Sequence, residues 1–293
     1  MMIFKGSGVA LATPFTENGI AYDTLEKLVE FQIKNGTDAL IACGTTGEPA
    51  TMTDDEQRSV IECVVKASAG RVPVIAGVGG NNTAHVISCA KTAQAVGADG
   101  LLAVTPYYNK CTNAGLIAHF NALADATDLP IIIYNVPSRT GVNICASVYE
   151  KLCCHDRIAG IKEASGNISQ VVETARLTRG KATLYSGNDD QVVPLLSLGG
   201  SGVISVLANI MPKYMHNMVM NYLNGKTKEA CEMQLEINPL VCALFSEVNP
   251  IPVKTALRMM GFDMGPLRLP LTEMGDNTYE NLLTQMRHFG LCD

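Results

Sequence analysis

Eight short apolar runs punctuate the chain between residues 9 and 206, and polar, helix-patterned segments separate them. The runs are Val9–Ala12, Ala39–Ala42, Val74–Ala76, Leu101–Val104, Ile131–Tyr134, Ile158–Ile161, Ala182–Tyr185 and Gly202–Val206. Each is continuous rather than alternating, as expected of parallel strands covered on both faces. After the second run, Thr53-Asp54-Asp55-Glu56 reads as a capping box, and Val60, Ile61, Val64 and Val65 follow at helical spacing. Ala146 to Leu152 repeats the helical pattern after the fifth run. Strand and helix alternate eight times at roughly 25 to 30 residues per unit, which predicts an α/β fold, a (β/α)8 TIM barrel. A doubly wound sheet competes with it. However, no GxGxxG follows the first run, and Gly77-Val78-Gly79-Gly80-Asn81-Asn82 lacks the third glycine.

The eight units end near residue 225. Beyond them Ala230, Met233, Ile237, Leu240, Val241 and Leu244 form one helical stripe, Asn249-Pro250-Ile251-Pro252 breaks it, and two more helical segments follow. The expected division is a catalytic barrel over residues 1–225 and a small all-helical C-terminal domain over 226–293. No Gly/Ser linker separates them, so the two are expected to pack together.

Composition narrows the functional classes. The chain has 293 residues, 47% hydrophobic and 17% charged, enough for a large core and too apolar for disorder. The net charge of −6 leaves no basic footprint for nucleic acid, and an anionic substrate would need a local cation. No uninterrupted apolar stretch approaches the roughly 18 residues of a membrane span. The opening MMIFKGSGVALATPF is too short in its apolar part for a signal peptide and reads as a first strand. The ten cysteines include no CxxC pair, and the adjacent thiols of Cys153-Cys154-His155 make poor partners for one zinc. They read as free thiols of a cytoplasmic protein.

In a (β/α)8 barrel the reacting groups gather at the C-terminal ends of the strands. Those ends carry Gly44-Thr45-Thr46-Gly47-Glu48, Thr105-Pro106-Tyr107-Tyr108-Asn109, Tyr134 to Gly141, Lys162-Glu163 and Ser186-Gly187-Asn188-Asp189. None of the five histidines lies there, and no GxSxG elbow is present, which disfavours metal and serine hydrolysis. The set suits amine catalysis. A neutral lysine attacks a ketone, water leaves, and the imine acts as an electron sink. Lys162, at the end of an apolar run, is the candidate, and burial would lower its pKa. A salt bridge to Glu163 or a loop acid is the plainer alternative. Tyr134 suits a proton shuttle or, equally, a core aromatic. Thr45 and Thr46 suit a carboxylate grip or ordinary turn chemistry, and Arg139 a carboxylate fork or a solvated loop charge.

Taken together, these motifs resemble the dihydrodipicolinate synthase family over the full chain. Those enzymes are Schiff-base pyruvate aldolases of the lysine and diaminopimelate pathway. The resemblance rests on GTTGE at 44–48, TPYYN at 105–109, YNVPSRTG at 134–141, GIKE at 160–163, GVISV at 202–206 and NPIPVK at 249–254. It implies that Lys162 forms the imine with pyruvate. Tyr134, Thr45 and Tyr108 would relay protons, Tyr108 reaching into a neighbouring subunit. Thr46 would hold the pyruvate carboxylate and Arg139 that of L-aspartate 4-semialdehyde. Main-chain groups of Gly187 and Ile204 would line the pocket. It further implies a homotetramer, a dimer of dimers, without metal or organic cofactor.

One departure from the family pattern matters. Lysine-inhibited members tend to carry histidines and a glutamate where this chain has Asp54, Gln57 and His85, whereas Asn81 and Tyr107 keep the pattern. Weak or absent feedback by L-lysine is the expectation. A sibling aldolase for sialic acid or a keto-sugar acid would need neither Arg139 nor the Tyr107-Tyr108 pair. A non-catalytic pyruvate sensor would typically have lost Lys162 or the relay. Glu163 carries no expected catalytic role, because alternation along a strand points it away from Lys162.

Overall fold

The computed structural model describes residues 2–293. Eight parallel strands close into a barrel: β1 (Gly6–Ala10), β2 (Ala39–Ala42), β3 (Val74–Gly77), β4 (Gly100–Val104), β5 (Ile131–Asn135), β6 (Ile158–Glu163), β7 (Thr183–Ser186) and β8 (Gly202–Ser205). Each strand is followed by a helix on the outside: α1 (Tyr22–Lys34), α2 (Asp54–Ser68), α3 (Thr83–Ala95), α4 (Asn113–Asp125), α5 (Ala146–Leu152), α6 (Ile168–Thr178), α7 (Val192–Ser197) and α8 (Pro212–Leu223). This is the (β/α)8 barrel that the periodicity predicts. The chain ends in α9 (Thr227–Leu244), α10 (Ile251–Met259) and α11 (Asp276–His288).

The apolar runs work as strands because both faces are covered. Leu40, Leu101, Ile131, Ile133 and Val203 pack outward against the helices, while Ile41, Ile75, Leu102, Ile132 and Ile204 fill the interior. The interior is closed toward the N-terminal end by Phe4 stacked on Tyr185 at 4.4 Å, with the Tyr185 hydroxyl donating to the Phe4 carbonyl at 2.6 Å.

The structure moves some boundaries. β1 starts at Gly6, because small residues there admit the Phe4 ring; a Cβ on Gly8 would lie 2.9 Å from it. β6 runs two residues past its apolar half, so Lys162 and Glu163 belong to the strand itself. A two-stranded antiparallel pair, Phe15–Thr16 with Gly19–Ile20, was too short to register as a pattern. Helix α2 begins with the expected capping box, Thr53 accepting from the Glu56 amide and Glu56 from that of Thr53. Cys242, although in an apolar run, is exposed on α9.

The C-terminal segment is tied to the barrel by charge. Lys254 on α10 donates to Glu48 at 2.8 Å, and both side chains are excluded from solvent. Lys254 also donates to the Pro266 carbonyl and lies 4.4 Å from the centre of the Phe15 ring. Arg268 packs on the same ring at 4.2 Å and bridges to Glu56 at the start of α2. No helix among the described residues is long and apolar enough to cross a membrane.

Candidate functional site

A cavity of about 400 Å³ opens at the C-terminal ends of the strands. Thr45, Tyr107, Tyr134, Arg139 and Asn249 are among the residues that border it. Lys162 on β6 does not itself border the cavity; register pairs it with Tyr134 on β5, which does. Its Nζ lies 4.1 Å from the centre of the Tyr134 ring. Lys162 is only 5% exposed, yet no carboxylate among the described residues forms an ion pair with it. The salt-bridge alternative therefore fails: Glu163 faces the other way.

Burial lowers the Lys162 amine from the usual 10.5 to about 7; the Asp189 carboxylate opposes the shift and the Arg139 charge adds to it. Such a displacement disfavours the charged form by on the order of 4–5 kcal/mol. About half of the amine is then neutral near pH 7, the form that attacks a carbonyl. Tyr134 is raised by burial, with the Arg139 charge and the Thr45 side chain pulling it back. The phenol is thus surrounded by the groups a proton carrier needs.

Thr45 and Thr46 sit on a single 3₁₀ turn, Thr45–Gly47, directly after β2. Thr46 is buried, and its hydroxyl accepts from Asn249 Nδ2 at 3.0 Å, leaving its own proton free to donate. Arg139 stands on a one-turn helix, Pro137–Thr140, and its Nη2 donates to the Asn249 carbonyl at 3.3 Å. It is a positioned cation of the cavity wall rather than a free loop charge.

Gly187 and Ile204 do not border the open cavity. Gly187 lies against the lysine stem: a Cβ there would sit 3.1 Å from Lys162 Cε and Cγ and 2.8 Å from Ala164 Cβ. Its amide is already committed to the Glu163 carbonyl at 2.8 Å, so it has no proton for a ligand. Ile204 is fully buried in the interior. Tyr108 is not brought into its own chain's cavity; it projects into solvent, 91% exposed, with a left-handed φ of 65°.

Two residues escaped the sequence reading. Asn249 joins Thr46 to Arg139 through its amide and its carbonyl. In the sequence it stands in NPIPVK and before Pro250, neither of which names Thr46 or Arg139 as its partner. Asp189, noticed only as part of a strand end, is buried; its Oδ2 accepts the Val206 and Leu207 amides at 3.0 and 2.9 Å. Burial raises it, with those hydrogen bonds and the nearby Lys162 charge opposing. Glu163 is not idle either. It accepts from Asn135 at 3.2 and 3.3 Å and from the Ser165 amide at 2.7 Å, stapling β5 to β6 on the face away from Lys162.

Comparison with known proteins follows the same lines. A model of the dihydrodipicolinate synthetase family matches residues 3–288. A 4-hydroxy-tetrahydrodipicolinate synthase of Thermoanaerobacter sp. is 56% identical over 292 residues, covering 99% of this chain and 98% of its own. The crystal structure of dihydrodipicolinate synthase from Thermotoga maritima superposes with a TM-score of 0.97 at 41% identity, covering 99% of both chains. That of the Cyanidioschyzon merolae protein, solved with lysine bound, gives 0.96 at 41% identity, covering 99% of this chain and 100% of its own.

Proposed function

The chain belongs to the dihydrodipicolinate synthetase family and condenses pyruvate with L-aspartate 4-semialdehyde in lysine biosynthesis; from that premise we propose that Lys162 is the amine that carries pyruvate through the reaction. The observation that supports this reading is a buried lysine without a counter-ion, lowered to about 7, beside the Tyr134 ring.

The neutral Lys162 amine attacks the C2 carbonyl of pyruvate. Tyr134 returns a proton to the developing alkoxide, water leaves, and a protonated imine forms. The imine withdraws electrons from C3, a C3 proton passes to Tyr134, and the resulting enamine carbon attacks the aldehyde carbon of the semialdehyde. The new alkoxide takes a proton from the relay of Tyr134 and Thr45, which Tyr108 of a neighbouring subunit connects to solvent. The amino group of the adduct then adds to the imine carbon and displaces Lys162, closing the ring and freeing the enzyme. Thr46 donates to the pyruvate carboxylate, and Arg139 offers its fork to the carboxylate of the second substrate. Gly187 acts away from the cavity wall, leaving room for the lysine stem, and Ile204 packs in the barrel interior.

The assembly in this reading is a homotetramer, a dimer of dimers. An exposed aromatic held at a left-handed φ, as Tyr108 is, suits a residue destined for a partner's cavity. The barrel domain, residues 1–225, carries the reacting side chains, the helical domain, 226–293, adds Asn249 to the cavity rim, and the enzyme acts in the cytoplasm, in keeping with its ten free cysteines. Neither a nucleic acid nor a membrane takes part.

Incubation with pyruvate and borohydride, followed by peptide mass mapping, tests the central assignment. A reduced pyruvyl adduct on the peptide containing Lys162 is expected. No adduct, or one on another peptide, overturns it.

A further inference from the structure

Asp54, His85 and Cys89 are not used by the chemistry above. His85 and Cys89 are one turn apart on α3 and share a face of that helix. Asp54, the first residue of α2, comes up opposite them. Both His85 and Cys89 also border the cavity.

His85 Nε2 lies 3.5 Å from Cys89 Sγ and 3.5 Å from Asp54 Oδ1, and the ligand atoms of all three fall within 4.8 Å of one another. As a hydrogen bond to the carboxylate, 3.5 Å is poor: good N–H···O bonds run about 2.7–3.2 Å. One ring nitrogen also cannot donate to the aspartate and accept from the thiol at once. As edges of a coordination polyhedron the two 3.5 Å separations from His85 fit. With metal–sulfur bonds of about 2.3 Å and metal–nitrogen or metal–oxygen bonds of about 2.0–2.1 Å, tetrahedral ligands stand roughly 3.3–3.6 Å apart.

We propose that Asp54, His85 and Cys89 form a binding site for a borderline-soft divalent metal ion of the zinc class, with a fourth position open to solvent. One nitrogen, one thiolate and one carboxylate are a donor set that such ions accept and that magnesium or calcium does not favour. Burial and the Asp54 charge raise the Cys89 thiol, so it enters the site as a thiol and releases its proton to solvent as the metal–sulfur bond forms. The ion replaces that proton as the counter-charge, without change of oxidation state.

Titration of the full-length protein with cobalt(II), read by absorption, tests this independently of catalysis. A thiolate-to-cobalt charge-transfer band and the visible bands of a four-coordinate ion are expected, saturating at one cobalt per chain and bleached by one equivalent of zinc. Cys89→Ser should abolish the charge-transfer band. His85→Ala should abolish saturable binding, and Cys154→Ser, at an exposed cysteine outside the cluster, should leave both unchanged. Absence of the bands in the unmutated protein, or their persistence in Cys89→Ser, overturns the proposal.

Discussion

Lys162 and Tyr134 stand side by side on adjoining strands, with the lysine nitrogen 4.1 Å from the centre of the phenol ring. A charged amine is attracted to the face of an aromatic ring. Here burial is the larger effect and drives the amine toward neutrality, to about 7. The ring thus shields the nitrogen from water and, in the proposed reaction, carries the hydroxyl that serves it.

The pH dependence follows. In the proposed reaction only the neutral amine attacks pyruvate, so the rate of imine formation by the free enzyme should rise about tenfold per pH unit below 7 and level off above it. Stopped-flow measurement of adduct formation gives the profile. An inflection near 10, where an ordinary lysine titrates, would contradict the burial argument.

A second outcome concerns stability. The Lys162 pKa is depressed on folding, so between about 7 and 10.5 the unfolded chain binds more protons, and this residue's contribution to stability becomes less unfavourable as pH rises. Lys162→Met removes that cost. The variant should form no pyruvate adduct, melt at a higher temperature than the parent at pH 7, and lose the advantage toward pH 10. Calorimetry at the two pH values checks it, and a melting temperature below the parent's at pH 7 would count against it.

Gly187→Ala adds one methyl group beside the lysine stem, 3.1 Å from two of its carbons. The φ angle of Gly187 is not in the left-handed region, so the strain comes from contact: the new methyl group would press on Ala164 Cβ at 2.8 Å and on the Lys162 stem, moving both. A fall in kcat of about tenfold to a hundredfold is expected, since misplacing a reacting group by about 1 Å costs that order of rate. Steady-state kinetics within twofold of the parent would show that the stem has room.

Asn249→Ala removes the donor to Thr46 while keeping the carbonyl that holds Arg139. The KM for pyruvate should rise by roughly tenfold, the size of one lost hydrogen bond in a buried site, while that for the semialdehyde changes less. Equal effects on both substrates would mean that the variant disturbs the whole rim.

L-lysine should inhibit weakly or not at all. Asp54 and His85 form the edge of a cluster with Cys89, and no glutamate stands at position 85 to face an ammonium group. Titration of initial rates with L-lysine is the measurement. Half-inhibition below about 1 mM, worth about 4 kcal/mol of binding, would refute this expectation.

The barrel was legible because its strands are buried on both faces and so spell themselves as unbroken apolar runs. Gly6 to Gly8 escaped because close packing against Phe4 demands small residues, which carry no hydrophobic signal. Lys162 was visible as a charge ending an apolar strand, and residue types alone left it balanced against a salt bridge. The decision came from alternation in three dimensions, which sends Glu163 to Asn135 and Ser165 and leaves Lys162 unpaired. Asn249 and Asp189 could not be read in advance, because their partners are Thr46 and Arg139, and Val206 and Leu207, all apart from them in sequence.

The Glu48–Lys254 pair also sets a timetable for synthesis. Glu48 follows directly on the threonine turn, and its counter-charge is supplied more than two hundred residues later, with Arg268 arriving later still to pack on Phe15. Until α10 is made, the Glu48 carboxylate lacks the ammonium group it pairs with in the finished fold. The seat of Glu48, one residue after the turn that presents Thr45 and Thr46, thus depends on a partner made near the end of synthesis.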